Sequence, residues 1–515
     1  MTRPGNLGPI DLVNVLIVFT LFLSLLLRII WLENIPGINA DEAWYGIIAL
    51  NIINGDFSQL FTPSGNLLNP FYILPVIILH ILFSPSFLLL RVASLMSGIL
   101  LIIFTFFTIK DLQNKKMALV VAILIATLPL NIAYSRFGWD TSQTVLISCV
   151  VIYALLKRNW VLLVLSTLAA VMIHPTNIGL FIFSLLFIFI GKLSEAKYSK
   201  EKKILFILFS SVVLLIFISL IYISPLSNWL PGMTAVMSRM VNVQEMGDFL
   251  LNFSRLISGG IVYEYITGVK SSLYTGAIDI IFSISLVFMM AFLIFKSYKV
   301  NNIKIFSFSC SFVLMLGIWY VSFSSFPLQP GSERYSLFLL YPFIICVGYY
   351  FQMISEYINY KKLIIVSLVM GNIMMVGFIK NYFIQIYDTG GESEITFRTN
   401  YIEPKQMVFN KINDEKSKDK ISVVASQWWN AQPLMYLGYN DKQFNVIESY
   451  EKQELILPES EDIFVNTFVG DELDENIKNQ YAYNIESAWV FKTFAGEPLM
   501  MLYKLKPMTI KLISN

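Results

Sequence analysis

Charged residues, histidine and cysteine are all scarce in this chain of 515 residues. Asp, Glu, Lys and Arg together make up 14%, and there are only two histidines and three cysteines. Soluble domains carry about 25% charged residues, so this composition excludes a soluble cytosolic enzyme, a nucleic-acid-binding protein and a disordered scaffold. Because Cys149, Cys310 and Cys346 lie inside apolar runs, we expect no disulfide framework.

Motifs that would bind a nucleotide or a structural metal are missing from the sequence as well. There is no glycine-rich phosphate loop, no His/Cys cluster with metal-ligand spacing and no Gly-x-Ser-x-Gly turn. Neither a nucleotide energy source nor a metal held in a soluble fold is therefore indicated, and we expect no required cofactor.

Apolar residues, in contrast, are abundant and are grouped in long runs. Hydrophobic residues make up 56% of the chain, and about 20 apolar helical residues cross the hydrocarbon core of a bilayer. The runs predict a mainly α, polytopic helix bundle in the plasma (inner) membrane. Its eleven predicted spans are 12–31, 86–109, 117–133, 142–156, 160–174, 176–190, 204–224, 277–296, 303–322, 335–352 and 362–381.

The positions of the lysines predict which way these spans face. A further apolar segment, 71–83, is short and contains Pro75 and His80. If this segment does not cross, the short lysine-rich loops all fall on one side, which the positive-inside rule makes cytoplasmic. We therefore predict an interfacial helix at 71–83 and a cytoplasmic N-terminus. The outer, extracytoplasmic loops are then 32–85, 134–141, 225–276 and 323–334.

The C-terminal residues differ in composition from the apolar spans. Residues 391–515 carry 13 Lys and Arg against 19 Asp and Glu. Their pattern predicts strands at 421–425, 443–447, 463–468 and 500–504 and a helix at 426–438. We therefore predict two domains, a transmembrane domain at 1–390 and a small extracytoplasmic α/β domain at 391–515.

Two adjacent carboxylates follow the first span. Asp41 and Glu42 begin a predicted helix, and Asn39 stands three residues before Glu42, which is the spacing of a capping box. This structural role accounts for Glu42 and only partly for Asp41. In the catalytic interpretation Asp41 is a general base with Glu42 beside it, and the residues alone favour neither interpretation. A divalent cation that bridges Asp41 or Glu42 to a phosphate also stays open.

A second group of polar residues lies in the short outer loop before the span at 142–156. Asp140 can cap the helix that follows it. Arg136, four residues earlier, places a cation near this carboxylate, and such a pair is suited to hold a phosphate and a hydroxyl together. We favour the functional interpretation of this loop.

Other cations stand at the predicted outer edge of the membrane. Arg91 lies within a span, where an unpaired charge costs about 3 kcal/mol or more, so it needs a carboxylate or a lipid phosphate as its partner. Arg334 ends an outer loop, and His174 begins an outer turn in which a structural role is the more common one. A phosphate-bearing lipid at this interface would recruit several such cations.

The order of these motifs resembles that of the C-type (GT-C) membrane glycosyltransferases. The closest group is the protein O-mannosyltransferases and lipid A aminoarabinose transferases (glycosyltransferase family 39). The similarity lies in Pro36-Gly37, Asp41-Glu42, Tyr45, Gly55-Asp56, Asn69-Pro70, Leu90–Ser94, Arg136–Asp140 and Arg334–Pro342, and it covers about residues 10–350. The chain departs from the pattern at Asn69-Pro70, where many members have two prolines.

The resemblance implies a polyprenyl-phosphate-linked sugar donor and an acceptor that is a glycolipid, a polysaccharide or a protein. It assigns the catalytic base to Asp41 and an assisting role to Asp140, and the attack of the acceptor hydroxyl inverts the sugar C1. We expect the phosphate and the sugar to be bound by Arg91, Arg136, His174, Arg334, Tyr45, Trp44 and Trp139.

Two other classes of protein are compatible with the sequence. A transporter or flippase for lipid-linked glycans would use the same arginines, and an assembly protein would use the C-terminal domain as its working part. Transport is disfavoured because the sequence shows no internal repeat and few polar residues at the midpoints of the spans. A scaffold is disfavoured because it would not need the pair Asp41 and Asp140.

Overall fold

The computed structural model describes residues 12–63, 65–195, 243–268, 273–389, 404–449, 454–457, 461–492, 496–506 and 508–511. The described residues before 390 are mainly helical, and the first described strand begins at Lys420. The predicted span 204–224 and the predicted domain boundary at 390/391 lie outside the described residues.

The described helices of the larger, N-terminal part form two groups along the chain. The first group is α1 (Leu12–Ile29), α2 (Ala40–Ile53), α3 (Pro70–Leu82), α4 (Phe87–Leu112), α5 (Lys115–Thr127), α6 (Pro129–Tyr134), α7 (Thr144–Leu156), α8 (Trp160–Ile173) and α9 (Gly179–Ser194). The second group is α10 (Val243–Ser258), α11 (Gly260–Thr267), α12 (Leu273–Lys299), α13 (Ile303–Phe323), α14 (Leu340–Ile354), α15 (Tyr360–Phe378) and α16 (Gln385–Thr389).

Many of these helices are suited to a membrane. Six segments of the described residues are long and apolar enough to cross one, namely Phe87–Leu112, Pro175–Ser194, Asp279–Lys299, Ile303–Phe323, Glu333–Ile354 and Tyr360–Asp388. Shorter apolar helices cover Asn14–Ile29, Pro70–Leu82, Asp140–Leu156 and Trp160–Ile173. The chain is therefore an integral, multi-pass membrane protein, as the sequence predicts.

The predicted span 117–133 is divided in two. Helix α5 ends at Thr127 and α6 begins at Pro129, because proline has no backbone N–H to continue the helical ladder and is favoured at the first position of a new helix. All residues from 120 to 139 are buried, and α5 packs against α1, α4, α14 and α15. This central segment leads the chain from the core of the bundle to the loop that contains Arg136 and Asp140.

Helix α3 is the short apolar helix that the sequence predicts at 71–83. Asn69 caps it by accepting a hydrogen bond from the backbone N–H of Phe71, and Pro70 occupies its first position. Tyr72 and Val76 are fully buried, whereas Ile78, Ile81 and Leu82 leave more than half of their surfaces exposed. An apolar face without protein cover is what a helix at a membrane interface presents to lipid.

The C-terminal residues form the small α/β domain that the sequence predicts. Its helices are α17 (Pro404–Glu415), α18 (Gln427–Leu437) and α19 (Glu472–Gln480). Its strands are β1 (Lys420–Ala425), β2 (Phe444–Glu448), β3 (Glu454–Leu457), β4 (Glu461–Phe468), β5 (Ile485–Lys492), β6 (Pro498–Leu505) and β7 (Met508–Lys511). Five strands form a sheet in the order β2-β1-β4-β6-β5, and β3 pairs with β7.

Both faces of the five-stranded sheet are covered by helices. β1 is parallel to β2 and β4, and β6 is antiparallel to β4 and β5. Residues of α17 and α18 pack on one face of the sheet, and residues of α19 pack on the other. The sequence did not predict β5 or α19, because β5 has no continuous apolar run and α19 is rich in acidic residues.

Candidate active site

Three segments that are distant in sequence meet at one place in the structure. They are the start of α2, the loop that joins α6 to α7, and the segment between α13 and α14. Arg334 of the last segment lies 3.9 Å from Asp41 of the first, measured between Nη1 and Oδ2. The same guanidinium lies over the ring of Trp139, in the loop before α7, at 5.2 Å from the ring centroid.

The capping box predicted at the start of α2 is present. The Asn39 side chain accepts a hydrogen bond from the backbone N–H of Asp41 at 2.7 Å, and Glu42 Oε2 accepts one from the Asn39 N–H at 2.9 Å. The cap orients the first turn so that Glu42 points into the protein, where its side chain is fully buried. Asp41 points the other way and keeps 37% of its side chain exposed.

Glu42 is bound by protein groups on both carboxylate oxygens. Arg91 Nε and Nη2 each donate to it at 2.9 Å, and the backbone N–H of Gly138 donates at 2.5 Å. The expected catalytic role of Glu42 therefore needs correction. Its carboxylate does not reach the open site but joins α2, α4 and the loop before α7.

Arg91 and Arg136, which the sequence suggested as phosphate ligands, are also enclosed. Arg91 Nη1 donates to the carbonyls of Leu32 and Pro36 at 2.8 and 2.9 Å, in addition to its bonds with Glu42. Arg136 donates through Nη1 and Nη2 to three carbonyls at the end of α1 and after it, those of Leu27, Ile30 and Ile35. Both side chains are fully buried, so each holds the chain after α1 in place rather than facing a ligand.

Asp41 has the surroundings of a base. Burial raises the pKa of its carboxyl above the usual value, while the charge of Arg334 and a hydrogen bond from the side chain of Trp428 act in the opposite direction. The carboxylate is thus half-buried, held by two partners and still open to a third group. A raised pKa and an accessible carboxylate suit proton abstraction near neutral pH.

Asp140 is the second carboxylate at this place. Burial raises its pKa to about 6, against the hydrogen bond that it accepts from the side chain of Tyr45 and the charge of Arg334. The negative charge of Asp41 raises the pKa of Asp140 further, as a neighbouring like charge does. The structure therefore brings together the two aspartates that the sequence selected from separate loops.

Arg334 is the predicted phosphate ligand that reaches this open region. Its side chain is 30% exposed, and its guanidinium lies over the rings of Trp139 and Tyr335 at 5.2 and 5.3 Å from their centroids. Flat aromatic surfaces hold a guanidinium in position while its N–H groups remain free to donate at the edge. Such a cation is suited to a phosphate oxygen.

His174 lies nearby but is not a cation. Its Nδ1 lies 2.7 Å from Thr176 Oγ1, and its ring centroid lies 5.3 Å from that of Tyr335. Burial, followed by the charge of Arg334, lowers the pKa of His174 to about 3. The neutral imidazole supports the ring of Tyr335 and adds no positive charge for a phosphate, contrary to the sequence-based expectation.

The three aromatic residues proposed to stack on a sugar are buried. Trp44 and Tyr45 belong to the apolar cluster between α2, α3 and α4, and Tyr45 reaches the site only through its hydroxyl, which bonds Asp140. Trp139 belongs to the core of the bundle, and Arg334 lies over its ring. In this structure the buried rings of Trp44 and Trp139 support the site residues by packing against them.

Three residues at the site were missed by the sequence analysis. Glu333 is fully buried beside Arg334 and accepts a hydrogen bond from Tyr134 Oη at 3.0 Å. Tyr335 contacts both Arg334 and His174, and Trp428 comes from the C-terminal domain. Glu333 and Tyr335 could have been selected from the sequence, because they are the immediate neighbours of Arg334. No local pattern connects Trp428 with Asp41.

Within the described ranges, no group of three or more His, Cys, Asp or Glu side chains could hold a metal ion. The carboxylates available to a divalent cation here are Asp41 and Asp140, because both oxygens of Glu42 are already bound. The guanidinium of Arg334 already supplies a positive charge beside Asp41 without a metal ion.

Comparisons with known proteins support the fold. No protein-family model matches the chain, and the comparison with curated proteins found no match. Among solved structures, ArnT from Cupriavidus metallidurans bound to undecaprenyl phosphate superposes with a TM-score of 0.52 at 11% identity, over 95% of this chain and 98% of ArnT. The oligosaccharyltransferase of Archaeoglobus fulgidus in complex with Zn and sulfate gives a TM-score of 0.46 at 13% identity, over 91% of this chain and 69% of its own. The likeness to ArnT, a lipid A aminoarabinose transferase, confirms the predicted C-type (GT-C) fold.

Proposed function

We propose that this protein is a membrane glycosyltransferase that moves a sugar from a polyprenyl-phosphate-linked donor to an acceptor hydroxyl. The observation that carries the proposal is the half-exposed Asp41 with Arg334 3.9 Å away and Asp140 beside it. A base, a cation and a second carboxylate at the edge of a membrane are what this transfer needs. The fold shared with ArnT, which was crystallised with undecaprenyl phosphate, is consistent with such a donor.

The reaction is a displacement at the sugar C1. Asp41 takes the proton of the acceptor hydroxyl. The oxygen of this hydroxyl attacks C1 from the face opposite to the phosphate, so the configuration at C1 inverts. The bond between C1 and the phosphate oxygen breaks, and polyprenyl phosphate leaves with the electron pair. Arg334 stabilises the charge that grows on the phosphate, and such preorganised stabilisation is usually the largest catalytic contribution. No cofactor is required for this sequence of steps.

Removing the charge of Arg334 should slow transfer without unfolding the protein. We expect Arg334→Gln to lower the rate by about 10²–10³-fold, the range found when one charge-stabilising group is deleted, and Arg334→Lys to retain part of the rate. The assay is the release of polyprenyl phosphate in native membranes, measured by mass spectrometry. Wild-type rates in both variants would show that another group holds the phosphate.

The rate should also depend on pH through the two aspartates. A base must be ionised, so the rate should rise with pH along an acid limb that lies above the usual carboxyl range, since burial raises the pKa of both Asp41 and Asp140. The apparent value belongs to the coupled pair. Asp140→Asn removes one of two like charges and should move the limb to lower pH. A limb that stays in place in this variant would contradict the assignment.

The remaining features of the proposal follow from the sequence. The positive-inside rule places the N-terminus in the cytoplasm and the site and the C-terminal domain on the extracytoplasmic side of the plasma (inner) membrane. The acceptor is a glycolipid, a polysaccharide or a protein of the cell envelope. The alternative is a transporter or assembly protein for lipid-linked glycans. The lack of an internal repeat in the sequence disfavours a transporter, and the pair Asp41 and Asp140 disfavours an assembly protein.

The test of the function compares the envelope glycans and lipids of three strains by mass spectrometry. The strains carry the wild-type gene, a deletion, and Asp41→Asn at matched expression. We expect both mutant strains to lack the same single sugar and to accumulate its polyprenyl-phosphate donor. If the deletion changes the envelope and Asp41→Asn does not, the transferase proposal fails, and transport or assembly becomes the better account.

A further inference from the structure

Helix α18 of the C-terminal domain lies along α2, the helix that begins with the proposed base. The two helices run in the same direction. Trp428 at the start of α18 packs against the apolar cluster of α2, and its side chain reaches the carboxyl group of Asp41 at the start of α2. Tyr439, after the end of α18, donates a hydrogen bond to Asn51 at 2.6 Å. The ring of Tyr436 fits so closely against Gly46 that a Cβ there would lie 2.4 Å from it.

The hydroxyl of Tyr436 links α18 to α3 and to the residue that precedes α4. It lies 2.7 Å from His80 Nε2 of α3, accepts a hydrogen bond from the Ser86 N–H at 3.1 Å and lies 3.0 Å from the Ser86 carbonyl. Its ring is buried in the same apolar cluster as Trp44 and Tyr45. The C-terminal domain is therefore built into the loop that carries Asp41 rather than attached to it by the chain alone.

The turn that leads into α18 fixes where Trp428 lies. β1 ends at Ala425, and α18 begins at Gln427, which has a φ of 64°. This left-handed conformation is uncommon for residues other than glycine. The unusual turn places Trp428 on the side of α18 that faces α2, while its neighbour Trp429 packs into the core of the C-terminal domain.

We propose that the C-terminal domain completes the active site and that Trp428 is a positioning residue for Asp41. The inference rests on the proposed function, in which Asp41 is the base. The indole N–H donates to one carboxylate oxygen, which fixes the plane of the carboxylate and leaves the other oxygen for the acceptor hydroxyl. A domain whose strands lie far from the membrane helices in sequence thus determines how well the base is oriented.

Several charged or titratable groups face Asp41 and act on the same carboxylate. Glu42 and Tyr45 lie on α2 itself, Asp140 comes from the loop before α7, and Arg334 comes from the segment before α14. A substitution of Trp428 leaves all four groups in place. A change in the pH profile of such a variant can therefore be attributed to the loss of the indole.

The experiment measures the pH dependence of polyprenyl phosphate release in Trp428→Phe, in native membranes supplied with donor lipid extracted from the deletion strain. Phenylalanine keeps an apolar ring and removes the N–H, so the ionised form of Asp41 loses one hydrogen bond. We expect the acid limb to move up by about one pH unit, which corresponds to about a tenfold loss of rate on that limb. The alkaline plateau should be kept, and Trp428→His, which restores a ring N–H, should move the limb back.

Trp429→Phe is the matched control, because it makes the same change one residue away, in the core of the domain. Profiles of Trp428→Phe and Trp429→Phe that both coincide with the wild-type profile would overturn the inference. So would an equal loss at every pH in the Phe and His variants with a lowered unfolding temperature, which would assign Trp428 to packing alone. An active Asp41→Asn variant would overturn the proposed function instead.

Discussion

Asp41→Asn is expected to abolish transfer while leaving the protein folded. A general base contributes about 10²–10⁴-fold to a rate, and the amide cannot accept the proton of the acceptor hydroxyl. The fold should tolerate the change, because Asp41 is half-exposed and the cap of α2 is formed by Asn39 and Glu42. The measurement is the rate of polyprenyl phosphate release together with the thermal unfolding midpoint in detergent.

The comparison that sharpens this prediction is Asp41→Glu. The longer carboxylate keeps the charge but moves its oxygens away from the position set by Arg334 and Trp428. A measurable but reduced rate in Asp41→Glu, with none in Asp41→Asn, assigns the effect to proton abstraction. Equal activity of Asp41→Asn and the wild type would reduce Asp41 to a residue that helps to begin α2.

Breaking the pair of Glu42 and Arg91 should lower the stability of the protein, whereas Asp41→Asn should lower its activity and leave its stability unchanged. The two side chains are fully buried and share two hydrogen bonds of 2.9 Å. Removing one partner of a buried pair leaves an uncompensated charge and costs about 3–5 kcal/mol. We therefore expect Glu42→Gln and Arg91→Met to lower the unfolding midpoint strongly and to reduce the amount of folded protein in the membrane.

Arg334→Gln provides the control for this stability effect. It also removes one charge of an acid–base pair, but the pair of Arg334 and Asp41 is partly exposed and its atoms are 3.9 Å apart. Such exposed pairs contribute about 0–1 kcal/mol, so its midpoint should stay near that of the wild type. A Glu42→Gln variant with normal stability and no activity would return Glu42 to the catalytic residues.

The two carboxylates of the proposed site could be selected from the sequence on different grounds. Asp41 could be selected because a role at the start of a helix explains it only partly, and Asp140 because Arg136 stands four residues before it. Arg91 and Arg136 looked similar to Arg334 in sequence, yet the structure buries the first two and bonds both to backbone carbonyls, and Arg91 also to Glu42. Whether an arginine faces a ligand depends on the backbone that encloses it, which one-dimensional patterns do not contain.

The fold, like the set of site residues, could be predicted from the sequence only in part. Hydropathy predicted the membrane bundle and the short apolar helix α3, because both follow from local apolar content. Pro129 itself indicates the break between α5 and α6, whereas the apolar run predicts one continuous span. The docking of α18 on α2 was not predictable, since it joins residues almost 400 positions apart through shape and a few side-chain bonds.

The most direct test of the account uses purified protein and donor lipid extracted from the deletion strain. Wild-type protein reconstituted with membranes of the deletion strain should consume the donor, release polyprenyl phosphate in equal amount and yield a product with inverted configuration at C1. Asp41→Asn protein with a wild-type unfolding midpoint should do none of these. Release of polyprenyl phosphate by folded Asp41→Asn protein at the wild-type rate would contradict the central claim that Asp41 is the base of a sugar transfer.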